Sequence, residues 1–151
     1  MKKYSVGYTT GVFDMFHIGH LNILKKAKEK CDYLIVGVTT DELVSYKNKK
    51  AIIPHAERMQ IVESIVYVDK VVSQENMNKI EAWEKYEFDV MFVGSDWKGT
   101  EKWNKLEDDF SKLGVEIEYF PYTQGTSSSF LRETLKKVND NYNLSQTNTI
   151  K

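Results

Sequence analysis

The stretch YSVGYTTGVFDMFHIGH (residues 4–20) decides the fold of this chain. Its first six residues (4–9) are rich in aromatic and β-branched side chains, which favours a strand. Two histidines, three positions apart, then precede LNILKKAKEKC (residues 21–31), which keeps Leu21, Leu24 and Ala27 on one helical face. The stretch therefore predicts a β-strand that passes through a turn into a helix.

The same alternation of strand and helix continues along the chain. The predicted strands cover residues 4–9, 33–40, 66–72, 89–94 and 115–120, and the predicted helices cover residues 21–31, 55–65, 78–87, 101–113 and 129–138. This order predicts an α/β fold, a Rossmann-like doubly wound parallel sheet with helices on both faces. We expect one domain, residues 1–138, and a flexible polar tail, residues 139–151.

Composition excludes several classes of protein. Lys and Arg (21) nearly balance Asp and Glu (22), so no basic field recruits nucleic acid. Cys31 is the single cysteine of the 151 residues, so the chain has no internal disulfide and no cysteine cluster for zinc. We expect no signal peptide, because the charged start MKKYSVGYTT is not followed by an apolar region, and we find no apolar run of the roughly 18–20 residues that a membrane span needs. We expect a cytoplasmic protein with no membrane partner.

Three polar segments follow predicted strands: GVFDMFHIGH (11–20), VGSDWKG (93–99) and PYTQGTSSS (121–129). Ligands of doubly wound folds bind beyond the carboxyl ends of the strands, where the strand order reverses. We therefore expect these segments to gather at one edge of the sheet.

The two histidines suit an anion. At i and i+3, His17 and His20 share one face of the first helical turn, where free N–H groups and the helix dipole favour phosphate. Gly19 permits close approach of a ligand to the backbone. Two histidines at this spacing are by themselves more often surface residues or helix caps. A zinc site is weaker still, because the third histidine is His55 and Cys31 lies at the far end of the helix.

Four segments together resemble the HxGH nucleotidyltransferases, and especially the small bacterial cytidylyltransferases of the glycerol-3-phosphate type. The resemblance spans residues 4–136 and rests on GVFDMFHIGH, on TTDELVSYKNKKAIIPHAERMQIVESIVYVDKVV (39–72), on VGSDWKG, and on PYTQGTSSSFLRE (121–133). The letters HIGH also occur in class I aminoacyl-tRNA synthetases. That interpretation fails because 151 residues leave no room for the large synthetase domain, and no KMSKS-like element is present.

The resemblance implies transfer of a cytidylyl group from CTP to a small alcohol phosphate, most simply glycerol phosphate, with release of pyrophosphate. The product is a CDP-alcohol for cell-surface polymer synthesis. The implied cofactor is Mg²⁺, bound through the CTP phosphates, and the implied assembly is a homodimer. The implied catalytic residues are His17, His20 and Lys49. The implied substrate-binding residues are Lys47, Lys49 and Arg58. The implied nucleotide-binding residues are Thr10, Gly11, Val12, Phe13, Asp14, His17, Gly19, His20, Asp96, Trp97, Tyr122, Thr123, Gly125, Thr126, Ser127 and Ser128.

Several of these residues also have a plain structural interpretation. Asp14 suits a loop or helix cap, and the serines of residues 127–129 suit a helix cap. Trp97 suits packing beneath a loop. Arg58 supports either a substrate phosphate or the lysine-containing loop, which is the loop that carries Lys47 and Lys49. An arginine beside Glu57 on a helix is also commonly a plain surface residue. Trp83, Tyr86 and Trp103 line either a dimer interface or the core of their own chain.

Two positions depart from the family pattern, since Val66 and Tyr122 stand where the family has arginines that contact nucleotide or substrate. These departures keep open a nucleotide-binding module without turnover. An adenylyltransferase is the other alternative, because SSSFLRE (127–133) resembles its closing helix, although those enzymes tend to have proline at the position of Met15.

Overall fold

The computed structural model of the chain describes residues 2–46, 50–121 and 127–149, with side chains as far as residue 143. Within these residues the strands are β1 (Tyr4–Gly11), β2 (Cys31–Thr39), β3 (Lys70–Gln74), β4 (Val90–Gly94) and β5 (Glu116–Phe120). The helices are α1 (Ile18–Lys30), α2 (Asp41–Tyr46), α3 (His55–Glu63), α4 (Lys79–Tyr86), α5 (Glu101–Lys112) and α6 (Ser128–Thr149), with one 3-10 turn at Ser95–Trp97. None of the described helices is both long and apolar enough to cross a bilayer.

The sheet is parallel throughout and has the order β3-β2-β1-β4-β5. One core cluster joins the sheet to α1 and α3, and a second joins it to α4 and α5. Helices therefore cover both faces, and the predicted Rossmann-like fold is confirmed. Trp83, Tyr86 and Trp103 belong to the second cluster, so they pack in the core of their own chain.

The third strand begins four residues later and ends two residues later than the sequence predicts. Residues 66–69 form a turn after α3, and Tyr67 and Val68 cover the end of the first core cluster from that turn. The Asp69 N–H then donates to the Leu34 carbonyl at 3.0 Å, and β3 begins at the next residue. An apolar run that packs from a turn has the same composition as a strand, which explains the shift.

The closing helix α6 also differs from its prediction. The sequence predicts a helix over residues 129–138 and a flexible tail after it, whereas α6 continues to Thr149. Leu131, Leu135, Val138 and Tyr142 carry the helical spacing across residue 139, although every described side chain from residue 133 onward is exposed. The division into a domain and a tail at residue 138 stays a prediction.

Candidate active site

One cavity of about 400 Å³ lies at the carboxyl edge of the sheet. The last residue of every described strand lines it: Gly11, Thr39, Gln74, Gly94 and Phe120. The strand order reverses between β1 and β4, which is where ligands bind in this kind of fold. The gathering of the strand-end segments is confirmed for the first two, which line the cavity, and for Ser128 of the third.

The histidine turn begins with two residues in the left-handed backbone region, Phe13 at φ 54° and Met15 at φ 50°. His17 then caps α1, because its Nδ1 accepts the Gly19 N–H at 3.0 Å. His20 Nδ1 accepts the His17 N–H at 3.2 Å, and the two ring centroids lie 4.0 Å apart. The helix-cap interpretation is thus correct for both rings, and it leaves each Nε2 for other partners.

These hydrogen bonds fix the tautomer of the neutral rings. Since each Nδ1 accepts, the proton of each ring lies on Nε2, which is then a donor. His17 Nε2 lies 3.2 Å from Ser128 Oγ, and that hydroxyl donates to the Asp14 carbonyl at 2.7 Å. His20 lines the cavity, whereas His17 reaches its edge through Ser128. The site therefore offers oriented imidazole donors at a helix N-terminus, as a phosphoryl group requires.

Burial disfavours the charged form of both rings. It lowers the pKa of His17. Burial, together with the neighbouring His17, lowers the pKa of His20 from 6.5 to about 4, and Asp14 opposes this shift. The His20 ring packs against Phe13 and Phe16, with a centroid distance of 5.3 Å to each.

The lowered pKa of His20 makes folding sensitive to acid. Between pH 6.5 and pH 4 the unfolded chain binds a proton on this ring and the folded chain does not, so acid favours unfolding. We expect His20 to reduce the free energy of unfolding by up to about 3 kcal/mol between pH 7 and pH 4. Urea denaturation across this range measures the slope. His20→Asn, which keeps an acceptor at the Nδ1 position, should flatten it, and an unchanged slope contradicts the assignment.

The Asp14 side chain links the turn before α1 to the loop before α3 through hydrogen bonds. It is buried (1% exposed), and its two carboxylate oxygens accept the N–H groups of Ile52 and Ile53, both at 2.9 Å. Arg132 approaches one of these oxygens at 3.4 Å. Asp14 lines the cavity, but its carboxylate joins the turn before α1 to the end of the lysine-containing loop. This is the loop-cap role that the sequence left open.

Arg58 lies beneath the cavity and is fully buried. Its Nε donates to the Ile53 carbonyl at 2.8 Å, and its Nη1 donates to the carbonyls of Val12 and Thr39, both at 2.7 Å. Its Nη2 donates to Asp41 at 2.6 Å. Arg58 does not line the cavity, and its hydrogen bonds support the loop before α3. Its role in substrate binding stays a prediction.

The remaining nucleotide-binding predictions fall in different places. Thr10, Gly11, Val12, Phe13 and Trp97 line the cavity, with Trp97 half exposed at its mouth. Asp96 is exposed and does not line it. Ser127 precedes α6 and caps it, because its Oγ accepts the Phe130 N–H at 3.1 Å. Lys47, Lys49, Tyr122, Thr123, Gly125 and Thr126 lie outside the described residues.

The family model for cytidylyltransferase-like proteins matches residues 8–149. This chain belongs to the cytidylyltransferase-like family. It is 38% identical over 131 residues to the glycerol-3-phosphate cytidylyltransferase of Bacillus spizizenii. The matched region covers 86% of this chain and 96% of that relative. It is 37% identical over 128 residues to the enzyme of the same name from Staphylococcus aureus, covering 84% and 92%. The resemblance drawn from the four motifs is confirmed.

A solved structure agrees with the fold of this cytidylyltransferase-like chain. The lipopolysaccharide core biosynthesis protein from Thermoplasma volcanium matches with a TM-score of 0.68 and 24% identity, over 82% of this chain and 99% of the other. At that identity the likeness concerns the fold alone.

Sequence reasoning missed a group of cavity residues in this cytidylyltransferase-like chain. Lys50, Lys79 and Lys102 line the cavity, and so does Gln74. Lys79 is 8% exposed and is the first residue of α4. Gln74 ends β3 and Lys79 follows it closely, so the strand-end rule applied to β3 would have found both.

Val66, one of the two departures from the family pattern, lies away from the cavity. It is 86% exposed and precedes β3, so it stands at the amino edge of the sheet, opposite the cavity.

The described residues of this cytidylyltransferase-like chain do not form a metal cage. They contain no group of three or more His, Cys, Asp or Glu placed to hold an ion. Asp14 is the one carboxylate among the described lining residues, and backbone N–H groups occupy both of its oxygens.

Proposed function

We propose that this protein transfers a cytidylyl group from CTP to glycerol 3-phosphate, releasing pyrophosphate and CDP-glycerol. The observation that carries the proposal is the pair of imidazoles oriented by the N-terminus of α1 at the reversal of strand order. The names of the relatives that cover most of the chain support CTP and glycerol phosphate as the substrates.

The transfer is an in-line displacement at the α-phosphorus. A phosphate oxygen of the acceptor forms the new P–O bond, and the bridging oxygen leaves with pyrophosphate. Negative charge spreads over the α-phosphoryl oxygens in the transition state. The Nε2–H of His20 donates a hydrogen bond to one of these oxygens, and the His17 ring lies next to the His20 ring. Both rings act as neutral donors, which agrees with their lowered pKa values. No side chain forms a covalent intermediate.

Cations around the cavity favour the anionic substrates. Lys50, Lys79, Lys102 and Arg132 outnumber Asp14, the one described lining carboxylate. Lys79 supports the acceptor phosphate from the start of α4, and Lys47 and Lys49 remain proposed phosphate ligands on the resemblance. We propose that Mg²⁺ arrives on the CTP phosphates, where it neutralises the charge of the leaving group.

The finer assignments are proposals of the same kind. CTP is a cytosolic nucleotide, so we propose a cytoplasmic location, a homodimer, and a CDP-alcohol product used in cell-surface polymers. Met15 supports CTP over ATP, since adenylyltransferases tend to have proline at this position and proline cannot adopt its φ of 50°.

A pyrophosphate-release assay tests the reaction. The protein is mixed with CTP or ATP and with glycerol 3-phosphate, other polyol phosphates or phosphocholine. We expect release that requires CTP and glycerol 3-phosphate together, with ATP at least about 10-fold less effective, which is about 1.4 kcal/mol of discrimination. Release with ATP instead favours the adenylyltransferase. Calorimetric binding of CTP without release for any acceptor favours the binding module.

A further inference from the structure

The cavity divides into two halves along the sheet. The nucleotide half comprises the ends of β1 and β4 with the starts of α1 and α6, and the proposed reaction places CTP there. The acceptor half lies on the side of β2 and β3, and Thr39, Val44, Lys50, Gln74, Met77 and Lys79 line it. The inference below concerns the acceptor half and rests on the proposed function.

Gln74 is an oriented amide in the acceptor half. It is 6% exposed and ends β3. Its Oε1 accepts the hydroxyl of Thr39 at 2.7 Å, and Thr39 is itself 1% exposed. Its Nε2 donates to Met77 Sδ at 3.6 Å, and a thioether is a weak acceptor. The reverse orientation would set Oε1 against the sulfur, so the network favours an amide nitrogen with donor capacity left over.

Among the described residues, the acceptor half offers no carboxylate of its own to a cationic head group. Among the described lining residues the one carboxylate is Asp14, and the N–H groups of Ile52 and Ile53 occupy its oxygens. Lys50 and Lys79 line the same half and repel an ammonium. A hydroxyl oxygen, in contrast, accepts from an amide N–H.

We propose that Gln74 is a specificity-determining residue that selects hydroxylated acceptors. Its Nε2–H donates to a hydroxyl oxygen of a polyol phosphate while Lys79 attracts the phosphate at the other end. Thr39 is a positioning residue, since its hydroxyl holds the amide in the orientation that presents nitrogen to the acceptor. Alcohol phosphates that end in an ammonium group are rejected, because the ammonium N–H groups and the Gln74 Nε2–H are both donors and cannot hydrogen-bond to each other.

Three acceptors separate this role from a structural one. Glycerol 3-phosphate carries two hydroxyls, propyl phosphate has the same chain without them, and phosphoethanolamine carries an ammonium. Gln74→Met keeps the unbranched shape and removes the amide. We expect kcat/KM for glycerol 3-phosphate to fall by about 10-fold or more. The KM for CTP and the already low kcat/KM for propyl phosphate should not change.

The variants also give a matched control. Gln74→Glu replaces the donor by a carboxylate, and we expect it to raise the activity on phosphoethanolamine relative to glycerol 3-phosphate. Urea denaturation confirms that each variant is folded. An equal loss with glycerol 3-phosphate and propyl phosphate overturns the role of Gln74, as does wild-type activity on phosphoethanolamine equal to that on glycerol 3-phosphate. Both results leave cytidylyl transfer intact, whereas wild-type silence with all three acceptors overturns the proposed function together with this inference.

Discussion

Replacing His20 by asparagine is expected to lower kcat by about 10²–10³-fold while the protein stays folded. Asparagine places an amide oxygen close to the position of Nδ1, so it still accepts the His17 N–H that caps α1. It has no atom at the position of Nε2, and the donor that faces the cavity is lost. The same substitution therefore separates the capping role of the ring from its role at phosphorus. Steady-state pyrophosphate release, with urea denaturation alongside, measures the two separately.

The complementary variant is His20→Gln, whose amide nitrogen reaches the Nε2 position. We expect it to retain more activity than His20→Asn and to be less stable, because the helix cap loses its acceptor. His55→Asn is the matched control, since His55 does not line the cavity. It should keep kcat within a few-fold. If His20→Asn and His20→Gln lose activity only in proportion to unfolded protein, the ring serves the helix alone.

Replacing Arg58 by methionine is expected to lower the free energy of unfolding by about 3–5 kcal/mol. The guanidinium is fully buried and gathers carbonyls from three segments together with the Asp41 carboxylate. Methionine fills much of the same volume and leaves these acceptors without a donor. The carbonyls cannot reach water without rearranging the loop, whereas Asp41 is half exposed and recovers solvation. Equilibrium urea denaturation measures the loss.

Two further variants test whether geometry or charge accounts for the loss. Arg58→Lys keeps the charge but offers a single nitrogen in place of a planar fork, so we expect it to recover less than half of the loss. Arg132→Met makes the same change at a partly exposed arginine whose carboxylate partner lies at 3.4 Å, and it should cost less than about 1 kcal/mol. If the two methionine variants lose equal free energy of unfolding, the buried hydrogen bonds of Arg58 do not account for its effect.

The sequence reveals most of the fold because buried parallel strands are continuous apolar runs. Residues 33–40 and 89–94 show this, and β2 and β4 lie within a residue or two of them. The shift of the third strand arises because composition does not distinguish a strand from an apolar turn. Tyr67 and Val68 pack on the core without pairing as a strand. The six residues of α2 are too few for a helical period to show.

The sequence predicts the site residues whose role follows from neighbouring residues in the chain. The pair His17 and His20 follows from spacing within one turn, and Trp97 follows from its place after a strand. Arg58 is different, because its partners include a residue 46 positions earlier in the chain and no local pattern indicates that it is buried. Gln74 and Lys79 were missed because the sequence predicts the end of the third strand at residue 72, two residues before β3 ends at Gln74.

The bond from the Ser128 hydroxyl to the Asp14 carbonyl spans 114 residues. During synthesis on a ribosome the histidine turn emerges among the first segments, and its final partner emerges near the end. A nascent chain that stops before Ser128 holds both imidazoles and lacks the hydroxyl that contacts His17. A fragment that ends before α6 is therefore expected to leave the His17 imidazole without this contact, even though β1 and α1 are present.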